Sequence, residues 1–169
     1  MNNEGIELKT VNDLRTTSNG APRQFFVPAY QRGYRWSTSQ VEQLLNDVRD
    51  FTYRPNPQPE EFYCLQPLVI MEQSTGVFEV VDGQQRLTTL LLVLRHFNER
   101  LAERYRLVPF TLSYETRRDL QQFLAAPDQC KSSENVDYFH LSRAMQKIEA
   151  WFEERESVND AIYYALRVK

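Results

Sequence analysis

The chain has 169 residues, 41% apolar and 12% aromatic, enough to bury one proper core, and no apolar run is long enough to span a bilayer. Twenty basic against 23 acidic side chains leave a net charge of −3, which removes any global electrostatic case for duplex-DNA binding and confines a nucleic-acid contact to a local patch. Cys64 and Cys130 stand in no metal-type spacing and no signal peptide is evident, so two free thiols in a cytoplasmic protein are expected.

In chain order, Ile6 to Val11 alternates loosely and predicts a short strand, followed by a helical turn over Asn12 to Thr17. Asn19-Gly20-Ala21-Pro22 is a turn before a strand at Phe25-Phe26-Val27, which Pro28 stops. Val41, Leu44, Leu45, Val48 and Phe51 recur at helical spacing from about Thr38, with Ser37 and Gln40 as a capping box and Trp36 placed for a hydrophobic staple to Val41. Pro55, Pro57 and Pro59 with Glu60 and Glu61 predict an exposed loop. Leu65 to Met71 then predicts a strand pairing antiparallel with Val77 to Val81 around Ser74-Thr75-Gly76, and Pro67 suits an edge or a bulge.

Leu87, Leu90, Leu91, Leu94, Phe97 and Leu101 mark one face of the next helix. The additional Leu92 and Val93 predict that it is covered on most sides. A strand over Phe110 to Ser113 and a helix from about Thr116 to Ala125, ended by Pro127, follow. Tyr138, Leu141, Met145, Ile148 and Phe152 mark an amphipathic helix, and Ser157 can cap a last one carrying Ala161, Ile162, Ala165 and Leu166. The pattern divides at 115 into an α/β core, 1–115, and a helical extension, 116–169. The extension ends abruptly and is expected to continue into a longer protein.

Two constellations carry chemistry. In the first, the strand Val77 to Val81 runs through Asp82 and Gly83 straight into the leucine-rich helix. A helix N-terminus exposes unpaired N–H groups and the positive end of the macrodipole; Gly83 lets the backbone approach a guest, and Arg86 adds a full charge. Phosphate is the obvious anion. The same residues also have a plain use, with Asp82 as N-cap and Gln85 at the third helical position in a D-x-x-Q capping box. A cap needs one or two side chains, whereas Asp82, Gln84, Gln85, Arg86, Thr88 and Thr89 crowd about one helical turn and a half.

The second constellation is Pro28-Ala29-Tyr30-Gln31-Arg32-Gly33-Tyr34-Arg35-Trp36, where aromatics alternate with guanidiniums. Arginine forks bind phosphate and aromatic faces stack on bases, so the segment suits a nucleotide or single-stranded nucleic acid. The alternative is that Tyr30, Tyr34 and Trp36 pack the core while the arginines pair with carboxylates such as Asp47 or Glu42.

Together with "FYCLQPLVIM", the strings "VPAYQRGYRW" and "FEVVDGQQRLTTLLLVL" resemble the N-terminal domain of GmrSD-type, modification-dependent restriction endonucleases. They are similar also to the phosphorothioate-sensing defence nucleases of the same DGQQR family. "LSYETRRDLQQFL" and "ENVDYFHLSRAMQKIEAWF" extend the likeness more loosely over nearly the whole chain. The resemblance implies an α+β, ParB/sulfiredoxin-like domain with a small mixed sheet packed by helices and a helical C-terminal part. It implies binding and hydrolysis of a nucleoside triphosphate with Mg²⁺ or another divalent cation, joined to a C-terminal HNH nuclease that cuts modified DNA, with self-association left open.

On the same grounds Asp82, Gln84, Gln85 and Arg86 are the catalytic set. Asp82 is placed at the metal or the attacking water, Arg86 at the phosphates, and either glutamine at the water. Gln31, Arg32, Tyr34, Trp36, Gly83 and Thr88 are the nucleotide-binding set. Gln66-Pro67 departs from the family's usual glycine and small polar residue. His96 and His140 stand in no ligand spacing, so no HNH chemistry is expected here and both read as ordinary helix residues. A nucleic-acid-binding module without catalysis of its own is the alternative function.

Overall fold

Period-two alternation along three short strands decides which face of the sheet is covered. In the computed structural model, which describes residues 5–56, 58, 61–125, 129–155 and 160–163, β1 (Gln24–Val27), β2 (Val69–Ser74), β3 (Val77–Asp82) and β4 (Thr111–Tyr114) form one sheet in the order β2-β3-β1-β4. β1 is parallel to both neighbours, with Phe25 beside Phe78 and Leu112, and β2 with β3 forms an antiparallel hairpin. Phe25, Val27, Phe78, Val80, Leu112 and Tyr114 are buried on one face, while Phe26, Glu79 and Ser113 on the other are only partly covered. The fold is α+β, a small mixed sheet with helices packed against its apolar face.

Among the described residues, α1 (Val11–Arg15), α2 (Thr38–Thr52), α3 (Gln84–Arg100), α4 (Arg118–Ala125) and α5 (Val136–Glu153) accompany it. α3 is the central one. The Thr88 and Tyr114 hydroxyls lie 2.9 Å apart on its sheet side, and the His96 ring stacks on Phe152 of α5 at 4.8 Å on the other. A helix apolar on nearly every side has to be enclosed, as Leu92 and Val93 predict, and both are buried. Trp151 of α5, 1% exposed, donates its indole N–H to Asn46 Oδ1 of α2 at 2.9 Å. Leu141, Ile148 and Trp151 therefore share one core with Phe25, Val80 and Leu112, and residues on both sides of the 115/116 division contribute to it. No helix among the described residues is long and apolar enough to cross a membrane.

Several local expectations need correcting. Residues 6–10 form no strand, and Ile6 is fully exposed, because Thr10 and Asp13 make a capping box that starts α1 at Val11. The thiol of Cys64 is free, as expected, and it is exposed. The hairpin strand β2 begins at Val69 rather than at Leu65, since Gln66 sits at φ 74° and Pro67 has no N–H to donate to a ladder. α4 starts at Arg118 instead of Thr116. The Ser37–Gln40 box is present and starts α2 as predicted. The expected stop at Pro127 and the cap at Ser157 lie outside the described residues.

His96 is not an ordinary surface histidine. It is buried, and burial, helped by the Arg100 guanidinium, lowers its pKa from 6.5 to about 4. The unfolded chain takes up this proton near pH 6.5 and the folded chain only near 4. Stability should therefore fall as pH drops through that window and be insensitive to this group above it. Between pH 7 and pH 5 the expected loss is about 2 kcal/mol. Urea melts at the two pH values should show it, and His96→Phe, which keeps a ring against Phe152, should flatten that part of the profile.

Candidate functional site

A left-handed glycine builds the β3–α3 junction. Gly83, at φ 91°, is the N-cap of α3, and no side chain caps this helix. The expected Asp82–Gln85 capping box is thus absent. Asp82 is the last residue of β3, opposite Val69, and its exposed carboxylate has no partner among the described residues. One residue at positive φ turns the chain from strand to helix in a single step, which moves the cap one place along. α1, α2 and α5 are capped by the side chains of Thr10, Ser37 and Asn135. The first N–H groups of α3 have no such side-chain acceptor.

Four hydrogen bonds stitch residues 31–35 to residues 81–85. Gln31 Nε2 donates to the Val81 carbonyl at 2.6 Å, Gln84 Nε2 to the Arg32 carbonyl at 2.8 Å and Gln85 Nε2 to the Gly33 carbonyl at 2.9 Å. The Arg35 backbone N–H donates to Gln85 Oε1 at 2.7 Å. Both ends of the Gln85 amide are therefore occupied. Gln84 uses only its NH₂, and its Oε1 is buried without a partner. The two motifs are in direct contact, one serving as the other's scaffold.

The guanidinium of Arg32, on the exposed side of this seam, has no partner among the described residues. Arg86 is half-buried and already engaged: Nη1 donates to the Pro67 carbonyl at 3.1 Å and Nη2 to Gln66 Oε1 at 2.7 Å. This grip holds the segment before β2 against Gly83, where Leu68 and the Pro67 carbonyl close one side. The unusual Gln66-Pro67 pair is thus what Arg86 binds.

Three predicted ligand contacts fall inside the protein or half inside it. Tyr34 is fully buried with its hydroxyl 2.9 Å from Thr89 Oγ1, and burial raises its pKa. Thr88 is fully buried, donating to the Gln84 carbonyl at 2.7 Å and facing Tyr114, whose phenol burial pushes up to about 12. Trp36 packs half-buried against the core. For Tyr34 and Trp36 the core-packing alternative is the one observed. Tyr30 instead stands 70% exposed, its hydroxyl donating to Glu79 at 3.0 Å.

Sequence reasoning missed Asp137. This buried carboxylate at the start of α5 pairs with Arg35 through Oδ1 and with Arg117 through Oδ2, the latter at 2.6 Å. Asp47 and Glu42, the expected partners, bind Tyr63 and Lys147 instead. The signal was Gly33, which a Cβ would drive into the Asp137 carboxylate. No cluster of three or more metal-type ligands exists among the described residues, so a cation here would draw on Asp82 with phosphate and water oxygens, a donor set that suits Mg²⁺.

Residues 11–166 match the family described as the GmrSD restriction endonuclease, N-terminal domain. The chain belongs to that family. No curated protein matches it. The GmrSD N-terminal match spans β1 to α5 and so includes both members of the seam, together with Asp137 and Arg117.

Proposed function

We propose that this domain is a ParB/sulfiredoxin-like module that binds a nucleoside triphosphate with a divalent cation at the N-terminus of α3. Hydrolysis there regulates a C-terminal HNH nuclease acting on modified DNA. The observation that carries the reading is the uncapped start of α3, flanked by a free guanidinium on Arg32 and a free carboxylate on Asp82. Helix N–H groups and an arginine neutralise phosphate charge, which is most of what phosphoryl transfer asks of a protein.

The roles divide by what each side chain has left to offer. Arg32 meets the phosphates. Asp82 holds the cation, which polarises the phosphoryl oxygens when bound. Gln84 Oε1, the acceptor without a partner, orients the attacking water, whereas Gln85 is spent on the seam. Arg86 acts through the Gln66-Pro67 segment it holds. Tyr34 and Thr88 support the site from within.

Titration with a non-hydrolysable triphosphate and Mg²⁺ tests the reading. Arg32→Ala is expected to weaken binding about tenfold, as for loss of one charge-assisted pair. Asp82→Asn is expected to abolish the dependence on Mg²⁺. Binding unchanged in both would overturn the assignment. The exposed Tyr30 beside Arg32 favours a second reading, stacking on a nucleic-acid base, and only that one predicts affinity for DNA that weakens steeply with salt.

A further inference from the structure

Asp137 is in an unusual position for a carboxylate. It is 8% exposed, yet it joins three separate parts of the chain: α5, the 31–35 segment through Arg35, and the turn before α4 through Arg117. Two guanidiniums on one carboxylate leave a local charge of +1. Their side chains are 31% and 30% exposed, so the unused donors can reach water. Arg35 spends Nη1 on the Tyr34 carbonyl and Asp137. Arg117 spends Nε on Asp137 and Nη1 on Thr116 Oγ1. An arginine carries five N–H donors, so Nε and Nη2 of Arg35 and Nη2 of Arg117 have no partner among the described residues.

We propose that Asp137 is a positioning residue that holds Arg35 and Arg117 as a paired cationic face for the phosphates of the nucleotide. Unscreened, the two like charges would separate; the buried carboxylate keeps them side by side, and Gly33 exists to let that carboxylate in. Gly33 does not have a positive φ, so its requirement for glycine is the space and not the backbone. The Arg35 backbone N–H is bonded to Gln85 in the first turn of α3, which ties the segment carrying this arginine to that helix. A planar guanidinium fork matches phosphate oxygens, and two of them favour a polyphosphate over a single phosphate. This inference rests on the nucleotide reading above and adds to it the residues that count phosphates.

The test compares affinities of the intact chain for a non-hydrolysable triphosphate and for the matching monophosphate. Asp137→Asn keeps the shape and removes the charge; Arg117→Gln removes one fork from a partly exposed position and decides the matter if Asp137→Asn does not fold. Gly33→Ala displaces the carboxylate without altering any charge. Each is expected to reduce the triphosphate-over-monophosphate preference about tenfold, with a shallower salt dependence of triphosphate binding for Arg117→Gln. A purely structural role would weaken both ligands alike and leave the ratio intact. An unchanged ratio in folded Arg117→Gln overturns the proposal while leaving nucleotide binding standing. Wild-type protein that binds neither ligand overturns both.

Discussion

Gln85→Ala is expected to lower the unfolding free energy by about 3 kcal/mol, since one buried and one partly buried backbone group lose their partners at once. The Gly33 carbonyl and the Arg35 N–H both depend on this one amide, which is itself buried. Each unsatisfied group costs roughly 1–3 kcal/mol, and the lost side-chain packing adds to that. Gln85→Glu should be no better: it keeps an acceptor for Arg35 but turns an anionic oxygen towards the Gly33 carbonyl. Gln84→Ala is the informative contrast. It removes a single bond, to the carbonyl of exposed Arg32, and should cost only about 1 kcal/mol while abolishing phosphate release if Gln84 orients the water. Urea denaturation of the two variants decides the point. Equal destabilisation would show that the seam is not what orders the 31–35 segment.

Gly83→Ala combines two penalties. An L-residue at φ 91° costs roughly 1–2 kcal/mol. The new Cβ would also stand 2.9 Å from Leu68 Cδ1 and 3.4 Å from the Leu68 Cα and the Pro67 carbonyl. The Leu68 methyl can move, but the backbone beside it is held by Arg86 and yields less readily. A total of about 2–3 kcal/mol is expected. Gly20→Ala isolates the conformational part, because Gly20 has φ 82° and nothing within 4 Å of its Cβ position. It should cost about 1 kcal/mol. If Gly83→Ala proves no worse than Gly20→Ala, the 66–68 segment does not press on the junction and cannot shape the mouth of the site.

Both experiments bear on one architectural point. The start of α3 is not a free-standing anion cradle but half of a composite, whose other half arrives about 50 residues earlier in the chain. Gln84 and Gln85 hold the 31–35 segment against the start of α3, and Asp137 ties that segment to α5.

Much of the fold was legible in the sequence because its signals are local. Apolar residues at three- and four-residue spacing reveal α3 and α5 from within themselves, and Ser37 with Gln40 announces α2 three residues apart. The 75–76 turn fixes the hairpin partner of β3. Where local signals competed, the reading failed. Thr10-x-x-Asp13 outweighed the weak alternation of Ile6 to Val11, and Gly83 in the left-handed region displaced Asp82 as the cap.

By itself the sequence determined an enclosed central helix, an antiparallel hairpin, a polar strand-to-helix junction and an arginine-rich segment upstream. Those properties follow from periodicity and residue chemistry over a few turns of chain. Only the tertiary structure decided that Gln85 is a brace while Gln84 keeps a free acceptor, and that Arg86 grips Gln66 and Pro67 while Arg32 stays free. It also decided that Asp137 gathers Arg35 and Arg117. Such partners lie 19 to 102 positions apart. A glutamine or an aspartate looks the same in a sequence whichever distant group consumes its hydrogen-bonding capacity, and that choice is made only when the sheet and α5 close on α3.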